Sequence, residues 1–133
     1  VHVVLAPYVP VATAVGKLLT HLADGQFLGI TISYEGEIAE YDTRSLQAAV
    51  LAGLMEPITT GQVNLINAPV LARERGLNIT EQHNTPAQEY SSLVSATIET
   101  TGGMIPLAGT SLRNAQQIVK IDDYWLAIVL PTP

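Results

Sequence analysis

The hydrophobic rhythm of the chain goes from mostly helical early to strand after strand late, and that change limits the fold more than any single motif. Up to about residue 76 the apolar positions mostly recur every three or four residues. From Leu93 onward they fall into four short runs separated by turn dipeptides. These runs are Leu93 to Thr100, Met104 to Thr110, Gln116 to Ile121 and Tyr124 to Leu130. Gly102-Gly103, Arg113-Asn114 and Asp122-Asp123 lie between them. Short strands joined by two-residue turns form antiparallel neighbours, because a tight turn cannot return a chain in parallel. The last third is therefore expected to be an antiparallel meander.

The first half supplies what must cover it. Tyr8, Val11, Val15, Leu18 and Leu22 follow steps of three and four, which places them on one stripe of a helix over 8–24. Pro10 suits its first turn and Gly25 its end. Leu28, Ile30, Ile32 and Tyr34 then alternate with small and polar residues, as a half-buried strand requires, until Glu35-Gly36-Glu37 closes or bends it. Asp42-Thr43 offers a side-chain cap to a helix over 44–55 that is apolar on most sides and so expected to be buried. A third helical segment spans 63–75, with Asn67 placed to cap a start at Ala68-Pro69 and Gly76 placed for a left-handed end. Leu77, Ile79 and Glu81 form a short strand, and 83–92 lacks a period and is expected to be a loop. The sum is an α+β domain of about three helices packed on a mostly antiparallel mixed sheet of about six strands, a single unit over 1–133.

Composition narrows function. With 133 residues, 47% apolar and a mean hydropathy of +0.28, the chain has enough hydrophobic material for one core. A formal charge of −6 disfavours nucleic acid and anionic membrane surfaces, both of which select for clustered cations. No apolar run approaches the roughly 18 residues of a spanning helix. Cysteine is absent, which removes disulfides, thiolate ligands and cysteine nucleophiles and fits a reducing compartment. The opening Val1-His2-Val3-Val4-Leu5-Ala6-Pro7 resembles a cut from a longer chain, and Leu130-Pro131-Thr132-Pro133 the first piece of a linker.

Motifs for chemistry are sparse. His2, His21 and His83 stand in no metal-ligand spacing and are expected at the surface. There is no Gly-x-Ser-x-Gly elbow, so a small hydrolase using His83 with Ser91 or Ser92 has no motif behind it. No Gly-x-Gly-x-x-Gly fingerprint marks a dinucleotide site. Glu35/Glu37 and Asp122/Asp123 flank strand ends, where solvated turns are the expectation. More informative is Asp42-Thr43-Arg44 at one helix start, with Asn64 and Asn67 near the next. Free N–H groups at helix starts favour anions, and an Arg beside them can hold a phosphate or carboxylate in bidentate fashion. The plainer alternative is that Thr43 or Asp42 caps, Arg44 pairs with a nearby acid and Asn67 caps the third helix. Beyond Arg44 the only cations are Lys17, Arg73, Arg75, Arg113 and Lys120.

Taken together, Glu40-Tyr41-Asp42-Thr43-Arg44, Gly53-Leu54-Met55-Glu56-Pro57, Val63-Asn64-Leu65-Ile66-Asn67-Ala68-Pro69 and Leu71-Ala72-Arg73-Glu74-Arg75-Gly76-Leu77 resemble the intervening, or allosteric substrate-binding, domain of long-form D-3-phosphoglycerate dehydrogenases. The likeness continues through Leu107-Ala108-Gly109-Thr110 and Ile118-Val119-Lys120-Ile121-Asp122-Asp123-Tyr124, and the segment from Pro7-Tyr8 to Leu22 is similar to the family's entry helix.

The resemblance implies a cytoplasmic, oligomeric parent enzyme that uses NAD to oxidise 3-phosphoglycerate to 3-phosphohydroxypyruvate in serine synthesis. This segment would regulate or assemble that parent, between its catalytic part and a serine-binding ACT domain. It implies no catalytic, cofactor or metal residue within the segment. An effector site for a small phosphorylated or carboxylate ligand would fall on Arg44, Thr43, Asn64, Asn67 and Lys120. One departure stands out: some relatives carry several basic side chains on the last two strands, and here only Lys120 remains, beside Asp122 and Asp123. That weakens phosphoryl recognition there and leaves Tyr124, Trp125, Ile128 and Leu130 as apolar contacts, either to a neighbouring domain or subunit or within the core. The related domain of L-serine dehydratases shares the architecture, but is expected to lead into an iron–sulfur part with cysteines.

Overall fold

The computed structural model describes residues 2–84 and 90–131. Three helices, α1 (Tyr8–Leu22), α2 (Arg44–Met55) and α3 (Ala68–Glu74), precede or interleave six strands. These are β1 (Phe27–Gly36), β2 (Asn78–Asn84), β3 (Ser92–Thr100), β4 (Gly103–Leu112), β5 (Ala115–Ile121) and β6 (Tyr124–Val129). They form one mixed sheet in the order β2-β1-β3-β4-β5-β6. β1 and β2 are parallel, joined through α2 and α3 as a parallel pair requires, and every other pairing is antiparallel. This is the α+β architecture expected from the change of period, and the meander of β3 to β6 follows the anticipated turns except the first, which falls on Thr101-Gly102 because Gly103 already pairs with Thr100 as the start of β4. Arg113 (φ 53°) and Asn114 (φ 63°) both take the left-handed conformation that a two-residue hairpin demands, as does Asp122 (φ 54°) in the next turn.

The main core fills the space between the helices and one face of the sheet, and a small second cluster of Leu93, Ala108 and Val119, with Tyr90 against it, lies apart from it. α1 lies across β3, β4 and β5, and α2 packs on α1 and α3. The alternation in β1 buries Ile30, Ile32 and Tyr34 against the helices. α2 is buried nearly all round, as its composition requires. The α1 stripe is rotated from the expected one: Ala12, Gly16 and Leu19 face inward, while Leu18 is half-buried and Leu22 exposed. The cause is a backbone-to-backbone crossing of α1 and α2. A Cβ on Gly16 would meet the Val50 carbonyl and lie 2.8 Å from Leu54 N; one on Gly53 would meet the Thr13 carbonyl and lie 2.9 Å from Lys17 N. Thr20 Oγ1 donates to the Leu54 carbonyl at 2.6 Å and fastens the same crossing.

Two boundaries differ from expectation. The third helix is shorter than 63–75, because residues 65–67 form a turn ahead of Ala68. β2 runs on to Asn84, so His83, expected in a loop, lies in a strand opposite Tyr34. Glu81, Gln82, His83 and Asn84 are all exposed on the sheet's edge, so they carry no alternation; the parallel ladder to β1 holds them instead. Of the rest of that expected loop, 85–89 lies outside the described residues, Tyr90 and Ser91 form a bend, and Ser92 already belongs to β3. Among the described residues, no helix is long and apolar enough to cross a membrane.

Candidate functional site

At the N-terminus of α2 the chain arrives from a 3₁₀ turn over Glu37–Glu40, which the Ser92 hydroxyl anchors by accepting the Ile38 N–H at 3.0 Å. Asp42 accepts the Arg44 N–H at 3.1 Å and turns the backbone into the helix. Thr43 does not cap with its side chain; its carbonyl accepts the Leu46 and Gln47 N–H groups, each at 3.0 Å. The buried Thr43 hydroxyl instead faces β2, where Oγ1 and His83 Nε2 share a hydrogen bond of 2.8 Å. Beside it the Tyr34 hydroxyl, from the fully buried side chain, donates to Glu81 Oε2 at 2.6 Å, and Gln47 Nε2 donates to Glu81 Oε1 at 3.0 Å. The Tyr34 and His83 rings lie 5.0 Å apart. Burial, then the neighbouring Glu81 carboxylate, holds the Tyr34 phenol far above its ordinary pKa. This network ties β1, β2 and α2 together. Sequence reasoning missed it because Tyr34 reads as one more member of an alternating strand.

Arg44 is the guanidinium expected to hold an anion. Its Nε donates to both Asp42 oxygens at 3.0 Å and its Nη2 to Oδ2 at 2.5 Å. Hydrogen bonds from the Arg44 side chain and then its backbone lower the Asp42 carboxyl to about 2. The plainer assignment, Arg44 paired with a nearby acid, is the geometry observed. The surrounding cleft, about 390 Å³ and broadly open, is lined by His2, Leu5, Tyr41, Asp42, Arg44 and Ser45. An incoming anion would meet the Asp42 carboxylate already on the guanidinium.

Asn64 and Asn67 satisfy each other. Asn64 Oδ1 accepts the Ile66 and Asn67 N–H groups at 2.9 Å, and Asn67 Oδ1 accepts the Asn64 N–H at 2.8 Å. This is a reciprocal capping box around the turn ahead of α3. Asn67 therefore makes no side-chain bond to α3 itself, contrary to the expectation that it caps there, because Asn64 takes the capping role one turn earlier. Lys120 sits apart on β5, its Nζ 5.1 Å from the centre of the Trp125 ring, a cation–π arrangement. Of the five expected effector residues, the structure brings Thr43 and Arg44 together at one helix start and Asn64 and Asn67 at another. Lys120 joins neither pair.

The other end of the sheet has a different character. β6 pairs with β5 on one side, and among the described residues no strand pairs with its other edge. Its alternation turns Tyr124, Leu126 and Ile128 to the helix side and Trp125, Ala127 and Val129 to the opposite face. Leu126 and Leu130 reach the core, whereas Tyr124 (73%), Trp125 (61%), Val129 (62%) and Ile128 (47%) remain exposed. Three of the four apolar residues singled out in the sequence, Tyr124, Trp125 and Ile128, thus stay exposed, and Leu130 packs inward.

Residues 4–122 match the family model described as the D-3-phosphoglycerate dehydrogenase intervening domain. The chain belongs to that family. Similar proteins include the D-3-phosphoglycerate dehydrogenases of Methanocaldococcus jannaschii (29% identical over 94% of this chain and 24% of that protein) and Archaeoglobus fulgidus (32% over 90% and 23%). The Synechocystis D-3-phosphoglycerate dehydrogenase is 30% identical over 90% of this chain and 22% of that protein. The intervening domain described here spans about a quarter of the length of the curated relatives it matches.

Proposed function

We propose that this intervening domain is the regulatory and assembly module of a D-3-phosphoglycerate dehydrogenase. The remainder of that parent chain would oxidise 3-phosphoglycerate to 3-phosphohydroxypyruvate with NAD, in the cytoplasm and as an oligomer, and neighbouring catalytic and ACT domains would dock on this one. Assembly is the principal role. The observation that carries it is β6, an uncharged edge strand with large apolar side chains exposed on both of its faces.

The effector half of the reading places a phosphorylated or carboxylate ligand at Arg44 and Thr43, with Asn64, Asn67 and Lys120. It asks more of the molecule, since a ligand must displace Asp42 from Arg44, and Thr43, Asn64, Asn67 and Lys120 already have partners. The test is a parent enzyme carrying Trp125→Ser with Ile128→Ser, measured for oligomeric state, turnover and response to L-serine. Altered assembly or lost response with turnover retained supports the proposal. Unchanged assembly and unchanged response would sink it.

A further inference from the structure

A second cleft lies at the far end of α2, where the chain leaves the helix through the 3₁₀ turn Glu56–Ile58 and where β1 and β2 begin. It measures about 260 Å³, and its walls include Phe27, Met55, Ile58 and Leu77, with Gln26 and Arg75. Met55 and Leu77 are buried, and Phe27 and Ile58 are half-buried, so most of the lining is apolar. Arg75 is the last turn of α3: its N–H bonds back to the Leu71 carbonyl at 3.2 Å, and Gly76 (φ 78°) turns the chain directly into Leu77 and β2. The Arg75 Nη2 donates to the Ile58 carbonyl, which holds the guanidinium at the cleft.

The contrast with Arg44 decides the chemistry. Arg44 carries its own carboxylate in Asp42, whereas among the described residues no carboxylate lies within ion-pair distance of Arg75. A guanidinium has five N–H donors, and one carbonyl leaves most of them for a ligand. An anion at Arg75 would be held in charge-assisted, bidentate fashion, with its remaining atoms against hydrocarbon. A doubly charged phosphate fits poorly, because the lining supplies one cation in a chain of net charge −6 and most of its other walls are apolar. At about 30 Å³ per water in the liquid, the cleft has room for roughly eight to nine waters, or a ligand of similar heavy-atom count.

We propose that this cleft binds a small monocarboxylate with a short branched aliphatic body. The carboxylate sits on the Arg75 guanidinium and the hydrocarbon lies against Phe27, Met55, Ile58 and Leu77. The inference goes beyond the module's role in a parent enzyme and does not depend on it. Sequence reasoning counted Arg75 only among the available cations.

The test is a two-dimensional amide NMR titration of the 133-residue chain with 4-methylpentanoate, with 4-methylpentan-1-ol and with inorganic phosphate. A ligand of about eight heavy atoms is expected to bind with a dissociation constant of about 1 mM. Shifts should concentrate at residues 25–27, 58 and 75–77. The alcohol and phosphate should each bind at least about tenfold more weakly, the loss expected when a charge-assisted bond or the apolar contact is removed. Arg75→Gln should lower carboxylate affinity by about tenfold or more. Because Arg75 also holds Ile58, Gln26→Glu is the companion variant: it leaves that bond in place, sets a negative charge at the rim and should weaken the acid by a similar factor. Equal binding of acid and alcohol, tighter binding of phosphate, undiminished affinity in Gln26→Glu, or no shifts at ~20 mM acid would each overturn the proposal. None of these outcomes bears on β6, so the cleft and the assembly surface fail or stand separately.

Discussion

The sheet has two edges and the chain finishes them in opposite ways. β2, at the parallel end, carries Glu81, Gln82, His83 and Asn84, and their side chains reach inward to neighbouring elements. Glu81 receives Tyr34 and Gln47, His83 meets Thr43, and Gln82 accepts from Ser33. An edge of that kind is polar, internally satisfied and a poor template for another strand. β6, at the meander end, has the sequence Tyr124-Trp125-Leu126-Ala127-Ile128-Val129 without a charge, and much of it faces water. A sheet satisfied at one edge and apolar at the other offers β6 rather than β2 to the assembly contacts proposed above. The difference teaches that the polar side chains at β2 stabilise the domain itself, while the exposed apolar ones at β6, unlike Leu126, do little for the isolated chain.

That comparison breaks most visibly through Glu81. Glu81→Ala removes the acceptor of the fully buried Tyr34 hydroxyl and of Gln47, and is expected to cost about 1–3 kcal/mol, the range for an orphaned buried donor. Thermal melting reads this as several degrees in a domain of this size. Tyr34→Phe is milder, about 1 kcal/mol, because the exposed Glu81 regains water. It also has a pH signature. Since the folded state holds the Tyr34 phenol far above its ordinary value of 10.0, this stability is complete below about pH 10 and is lost as pH rises and the unfolded chain ionises. The wild-type slope above that pH is expected to approach 1.4 kcal/mol per pH unit for one proton, and Tyr34→Phe should remove it. Next in size, Thr43→Val keeps the shape of the buried side chain and loses the bond to His83, an expected loss of about 1 kcal/mol by the same melting measurement.

How much of this could be read in advance depends on whether a feature leaves a periodic trace. The meander was legible because Gly102-Gly103, Arg113-Asn114 and Asp122-Asp123 punctuate alternating runs; the structure turns at the last two pairs and, for the first, one residue earlier at Thr101-Gly102. α2 was legible to the residue because its apolar content admits only burial. The end of β2 was not, since Gln82, His83 and Asn84 are polar on both faces and their strand state comes from β1 alongside. The α1 stripe was misplaced by one step because Gly16 and Gly53 are invisible to a hydrophobic pattern, yet their missing side chains set where the helices cross. At the candidate sites, spacing could bring Asp42 to Arg44 but could not say whether the carboxylate caps or neutralises; it does both. Arg75 left no signal beyond its charge, as its cleft is assembled from three segments distant in sequence.

On the β6 side the same reasoning gives small numbers for stability. Trp125→Ser and Ile128→Ser each replace an exposed apolar side chain, and the isolated chain is expected to change by no more than about 0.5 kcal/mol in denaturant melts. A loss approaching that of Glu81→Ala would mean β6 belongs to the core and would erase the distinction between the two edges.

The smallest effect sharpens the comparison at the polar end. Asp42 is fully exposed, yet Arg44 holds its carboxyl near 2 against an ordinary 3.8. A lowered folded-state value stabilises above the unfolded pKa and is lost as pH falls through the folded one, so the window lies between about pH 4 and pH 2. Asp42→Asn is expected to lower the wild-type melting temperature slightly at pH 6, with the two proteins converging below pH 2. Solvent and salt screen an exposed pair, so the gap should shrink in high salt. The absence of any gap at pH 6 would mean that Asp42 acts chiefly through the Arg44 N–H at the start of α2, a bond an asparagine side-chain oxygen can also accept, and that the charge on Arg44 matters little to the fold.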